Sequence, residues 1–219
     1  TLREQGYEKI PETGWASVTV PGAPAAWAQL SERFGNLPLT EVLKPAIEYA
    51  KNGYPVSYTL GRLWALEYER FKRILKGEEY EYWFDTFAPN GRAPYIGEVW
   101  ASPDHAKTLE IIAQTNAEAF YRGEIAEKID QFAKETNGYI TADDLAEYQV
   151  EWVEPIKTNY RGYDVWEIPP NGQGLIALLA LNIVEGFDFE AKDSIETYHR
   201  QIEALKLAFV DGQEYITDP

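Results

Sequence analysis

Tyr160-Arg161-Gly162-Tyr163-Asp164-Val165-Trp166-Glu167-Ile168-Pro169-Pro170-Asn171-Gly172-Gln173-Gly174 compresses a turn, a strand, a break and a helix start into one short stretch. Arg161-Gly162 lies between two tyrosines, and glycine takes the positive φ that a two-residue hairpin turn demands. Tyr163, Val165, Trp166 and Ile168 are β-formers, so the spacing predicts a strand over 163–168. Pro169-Pro170 cannot donate to a ladder and ends it. Asn171 to Gly174 can then bring bare backbone N–H groups to a helix N-terminus, where an anionic group is favoured. The same residues also suit an ordinary strand-to-helix connection, and both readings stand at this point. Gly172 is expected at positive φ, which predicts that Gly172→Val destabilises.

Before the turn, residues 150–160 read as the partner strand, with Pro155 at an edge or bulge. After it, Leu175, Leu178, Leu179 and Asn182 share a helix ending at Gly186. Asp193 and Glu196 resemble a capping box for a last helix carrying Tyr198, Ile202, Leu205 and Phe209 on one face. The first 149 residues read as helices. One runs from Pro24 to Phe34, and another has Thr40 as its cap and Ala46, Ile47 and Ala50 within it. Ser57 caps a third that Gly77 ends, and Ser102-Pro103-Asp104 opens a fourth. A helix-loop-helix surrounds Gly123, with Ile125, Ile129 and Phe132 as its buried stripe. Gly138 stops it, and Thr141 caps a short helix at Leu145. Residues 78–100, with their acidic run and aromatic cluster, read as an irregular arm or short hairpin and as the one soft boundary.

The chain has 219 residues, 45% hydrophobic and 14% aromatic, enough for one large domain or two small ones. A net charge of −16 argues against nucleic acid or an anionic membrane as partner. No apolar run reaches the roughly 18 residues a membrane helix needs. The absence of cysteine excludes disulfides and thiol chemistry.

Candidate reactive groups have plain competitors. His105 and His199 have no second ligand at metal spacing, so no metal site is expected. Asp143-Asp144 could be a carboxylate pair, yet after Thr141 they also suit the positive end of a helix. Tyr80, Tyr82, Trp83 and Phe84 could stack on a sugar, or pack an arm against its neighbour. Gly172 and Gly174 lack the rest of a phosphate loop. A carbohydrate-active enzyme and a non-catalytic helical interaction module therefore remain as alternatives. The first predicts two carboxylates about 5 to 10 Å apart in an aromatic cleft.

Longer blocks carry a resemblance. Val18-Thr19-Val20-Pro21-Gly22-Ala23-Pro24-Ala25-Ala26-Trp27, Arg33-Phe34-Gly35, Pro45-Ala46-Ile47 and Asn52-Gly53-Tyr54-Pro55-Val56-Ser57 come first. Ala119-Phe120-Tyr121-Arg122-Gly123-Glu124-Ile125-Ala126, the opening stretch and Glu203-Ala204-Leu205-Lys206-Leu207-Ala208-Phe209 follow in order. Together they resemble the large-subunit segment of the gamma-glutamyltranspeptidase family. The resemblance implies an α+β fold: an internal fragment of the αββα sandwich of an N-terminal-nucleophile hydrolase, here mostly helical with a β-hairpin. Residues 1–149 would be a helical lobe and 150–219 the hairpin and two helices of the sandwich, within one partial domain.

That family cuts itself to expose a Thr on a small subunit, which attacks a gamma-glutamyl carbonyl with its own α-amino group as base. The resemblance places that Thr beyond Asp218-Pro219, and the Arg that grips the substrate carboxylate before Thr1. It thus implies no catalytic residue here, no cofactor, a small-subunit partner, and a gamma-glutamyl or acyl-amide substrate. Thr1, followed by Leu2-Arg3-Glu4-Gln5-Gly6 rather than a strand, is not expected to be the nucleophile. Where many members have two serines and two glycines, this chain has Asn171-Gly172-Gln173-Gly174, as in the cephalosporin-acylase-like branch. Those four residues are the candidate substrate-binding loop.

Overall fold

Trp15 reaches across the chain to set the first layer of packing. In the computed structural model, which describes residues 2–4 and 6–217, its indole Nε1 donates to Thr136 Oγ1 at 2.9 Å and its ring lies 5.8 Å from Phe132. The chain divides into two compact units, Thr1–Val150 and Glu151–Pro219.

The first unit is helical. It holds α1 (Ala23–Phe34), α2 (Leu39–Asn52), β1 (Tyr54–Pro55), α3 (Tyr58–Ile74), α4 (Glu81–Phe87) and β2 (Val99–Trp100). Next come α5 (Pro103–Gln114), α6 (Glu118–Arg122), α7 (Glu124–Glu135) and α8 (Ala142–Glu147). Its main core gathers Leu39, Ile112, Tyr121, Ile125, Ile140 and Leu145, the last wholly buried. The Tyr121 hydroxyl donates to Pro21 O at 2.6 Å and accepts from Ala25 N at 3.2 Å, tying α6 to the entry of α1. A second cluster forms around Tyr68, Ala88 and Ala93. There Phe71 and Trp83 meet edge to face at 4.8 Å, and Trp64 donates to Phe87 O at 3.0 Å.

Local capping chemistry explains several helix starts. Ser57 Oγ accepts from Leu60 N, and Thr141 with Asp144 forms a complete capping box at α8. Thr40 is not a cap, because α2 begins one residue earlier, where burial of Leu39 draws the chain into the helix. Ser102 precedes α5, but its hydroxyl bonds His105 Nδ1 at 2.6 Å instead of a backbone N–H. α3 ends at Ile74, before Gly77. Residues 78–100 lie inside the first unit and are neither arm nor boundary. After a 3₁₀ turn (Glu78–Tyr80), α4 packs Trp83 and Phe84 on α3, and β2 pairs antiparallel with β1, setting Tyr54 opposite Trp100.

The second unit is a hairpin covered by two helices. β3 (Ile156–Tyr160) and β4 (Tyr163–Glu167) pair antiparallel, with Tyr160 opposite Tyr163 across Arg161 (φ 52°) and Gly162 (φ 85°). Positive φ at both turn residues matches the right-handed twist of the strands. The expected partner strand over 150–160 begins only at Ile156. Its mate ends at Glu167, ahead of two prolines, so residues before Ile156 have no ladder to join. α9 (Gly174–Glu185) lies on the hairpin, with the buried Thr158 hydroxyl bonded to Asn182 Oδ1. α10 (Ile195–Tyr215) lies on α9. It turns Ala204, Ala208 and Gly212 inward and leaves Tyr198, Ile202, Leu205 and Phe209 exposed, because small side chains let the helices approach closely. The cap of α10 is Ser194, which accepts from Thr197 N at 3.1 Å, and not Asp193, whose carboxylate accepts from Tyr198 OH. Ser194 stands at the spacing that serves the third N–H of the helix.

Candidate functional site

The loop from Asn171 to Gly174 ends at the start of α9. Gln173 is the N-cap residue, at φ −84° and ψ 3°, and its side chain makes no capping bond. Its carbonyl accepts from Ile176 N at 3.0 Å, and the first turn of α9 holds no acidic residue. Asn171 and Gln173 are exposed. The loop therefore presents two amide side chains beside the positive end of a helix dipole, able to donate to and accept from a polar ligand.

Two features limit that reading. Gly172 has an ordinary negative-side backbone, and an added Cβ would meet nothing within 4 Å. The expected positive φ is absent because the chain turns here through Pro170 and Asn171 without needing a left-handed residue. Gly174 is glycine for packing: a Cβ there would lie 2.9 Å from Glu167 Cβ and 2.5 Å from its Oε2. This close approach brings the Glu167 carboxylate to the positive end of α9, where it already supplies negative charge.

The hairpin beside the loop is tied down by polar contacts. Asp164 accepts from Lys157 Nζ at 2.6 Å and Asn159 Nδ2 at 2.9 Å, and these hold its carboxyl below the usual range, Lys157 most strongly. Arg161 N donates to Glu185 Oε2 at 3.1 Å, and the Arg161 guanidinium donates to Phe187 O.

The other sequence candidates resolve into structure. Asp144 belongs to the capping box, where the Thr141 hydroxyl and backbone N–H lower its pKa, and Asp143 is exposed. The aromatics of 80–84 pack within the first unit: Tyr82 meets Phe132 at 5.6 Å and Phe84 meets Tyr68 at 6.3 Å. His199 is exposed. Among the described residues, no three His, Asp or Glu side chains converge to hold a metal ion, and no helix is long and apolar enough to cross a membrane. Thr1 lies outside the described residues.

Sequence reasoning missed two features of the first unit. The Ser102–His105 bond was signalled only by an i, i+3 spacing at a helix start. A cleft of about 710 Å³ between α3 and residues 92–96 has no local signature, because its walls come from separate segments.

The sequence model of the family described as Gamma-glutamyltranspeptidase matches residues 1–219, the whole chain. The chain belongs to that family. Members of the gamma-glutamyltranspeptidase family are similar to it in sequence and in structure. The glutathione hydrolase-like YwrD proenzyme of Bacillus subtilis (strain 168) is 38% identical over 218 residues, covering 98% of this chain and 40% of that protein. The crystal structure of cephalosporin acylase from Bacillus halodurans superposes with a TM-score of 0.95 at 58% identity, covering 100% of this chain and 41% of that one. Helicobacter pylori gamma-glutamyltranspeptidase superposes at 0.84 with 30% identity, over 98% of this chain and 62% of that one. The chain thus spans about two fifths of the length of the curated relative.

Proposed function

We propose that this chain is a segment of the large subunit of an N-terminal-nucleophile hydrolase that cleaves gamma-glutamyl or related side-chain amides. The family match along all 219 residues carries this reading. In it, a Thr on a small subunit forms the acyl-enzyme. The α-amino group of that Thr has an unperturbed pKa of about 8, which suits it to remove the hydroxyl proton at neutral pH. No cofactor is required. The mostly helical chain with its hairpin contributes one side of a four-layer αββα sandwich, as a single partial domain whose first 149 residues form a helical lobe.

Asn171 to Gly174 line the acyl-donor cleft in this reading. The amides of Asn171 and Gln173 hydrogen-bond a polar group of the donor. Glu167 beside Gly174 disfavours a second carboxylate at the helix start, so the loop suits an uncharged amide or a carboxylate held off the helix axis.

A cephalosporin (glutaryl) acylase activity is the second reading, favoured by the 58% identity to the Bacillus halodurans enzyme and by the Asn-Gly-Gln-Gly loop. The test is turnover by the complete processed protein of a gamma-glutamyl anilide against a glutaryl amide. The donor with the higher kcat/KM decides between the readings, and turnover of neither rejects both. The 219-residue chain alone is expected to be inert, and turnover by it would overturn the placement of the nucleophile outside it.

A further inference from the structure

One face of α3 carries an ordered row of charged and apolar side chains. Tyr58, Arg62, Leu66, Glu69 and Arg73 recur at intervals of four, four, three and four residues, so they form one stripe along the helix. Away from the stripe, Tyr68 is buried and Trp64 partly buried in the second cluster, and Gly61 is buried at the stripe's flank. The stripe is open: Tyr58 is 70% exposed and Leu66 56%. Tyr58, Arg62, Leu66 and Glu69 help form one wall of the 710 Å³ cleft, with exposed Tyr95 and Ile96 on the other.

The charges on this stripe are unpaired where neighbouring ones are paired. Arg70 is bonded to Glu67 and Glu12, and Arg92 to Glu98 at 2.8 Å. Among the described residues, Arg62, Glu69 and Arg73 have no hydrogen-bond or ion-pair partner. Their order along the helix is cation, anion, cation, with apolar carbon between.

That order is complementary to itself when reversed. Lay α3 antiparallel to a copy of itself, with a two-fold axis between Ala65 and Leu66. Arg62 then faces the partner's Glu69, and Glu69 the partner's Arg62. Leu66 faces the partner's Ala65, a small residue that lets the helices approach. Arg73 faces the partner's Tyr58, a cation over an aromatic ring. A two-fold contact repeats each pair, so every unpaired charge on the stripe gains a partner at once. The net charge of −16 makes two copies repel at long range, and this stripe, with two cations to one anion, opposes approach less than an acidic face would.

We infer that the outer face of α3 is a homodimer interface in which two copies of this chain meet antiparallel about the Ala65–Leu66 step. The inference stands on charge order and exposure and is independent of the acyl-transfer reading. The test is sedimentation equilibrium of the complete processed enzyme. The wild type is expected at twice its protomer mass. Glu69→Arg alone and Arg62→Glu alone each place like charges opposite one another and should weaken association about a hundredfold. An equimolar mixture of the two restores opposite charges at both contacts and should recover the dimer, as should the double variant. Four results would overturn the inference: a monomeric wild type, meaning that the rest of its own polypeptide covers the stripe; single variants that dimerise as tightly as wild type; a mixture that stays dissociated; or a double variant that does. Recovery in the mixture also shows that both single variants are folded.

Discussion

The turn at Arg161-Gly162 and the loop at Asn171 to Gly174 lie nine residues apart, and both read as glycine-dependent bends, yet their glycines serve different ends. Gly162 holds φ 85° with open space around it, and the turn is braced by Asn159, Glu185 and the Arg161 side chain. Gly174 is held by contact with Glu167, and Gly172 by neither backbone nor contact. The bend required by the backbone has both its N–H groups bonded, whereas the bend that is not leaves two amide side chains free. The comparison separates what the fold needs from what a ligand can use.

Substitutions break or sharpen this contrast in a definite order. Gly174→Val should cost the most, about 3 kcal/mol, because the new side chain overlaps Glu167 Cβ on β4 and the strand end must move. Gly162→Val should cost about 2 kcal/mol from backbone strain alone. Chemical denaturation of the complete protein measures both, and equal losses would erase the distinction between contact and conformation. Asn171→Ala and Gln173→Ala should lower kcat/KM for the preferred donor about tenfold with an unchanged melting temperature. Unchanged kinetics in both would reduce the loop to a connection. Gly172→Val should alter stability by less than about 0.5 kcal/mol. A large loss there would show that the loop adopts a strained form in the complete protein.

The smallest effect concerns pH. Asp164 is held below its ordinary pKa by Lys157 and Asn159, so its contribution is present above the unfolded value of about 4. It is lost as pH falls through the lower folded value. Asp164→Asn should flatten the acid limb of the stability curve below about pH 4 and leave its neutral slope alone. Thermal melts across that window check it, and an unchanged acid limb would show that the hairpin pairs are not formed in solution.

How much of this was legible depended on the range of the interaction. The Ser57 and Thr141 caps, the Arg161-Gly162 turn and the stop at Pro169-Pro170 are set by residues within a few positions, and their chemistry is visible in order. The start of α2 is not legible in order, because burial of Leu39, a tertiary event, outweighs the local preference for Thr40 as cap. The start of β3 at Ile156 is not legible either, because the strand's length is decided by its mate. On α10 the helical spacing was correct, but which face turns inward depends on α9, and the smaller residues won. The candidate loop was located from its proline and glycine punctuation. The reasons for its two glycines came only from Glu167 and from the backbone angles.

The contacts of Trp15 and Tyr121 carry a consequence for synthesis. Thr136 lies 121 residues after Trp15, and Tyr121 lies 100 after Pro21. A ribosome adding about 5 to 20 residues per second therefore needs on the order of ten seconds after adding Pro21 to reach its partner. During that interval the first helices wait with Leu39 and Ala28 uncovered, and closure across so long a span is slow. The first unit is thus a late-closing body, and its core is complete only once α8 has left the exit tunnel.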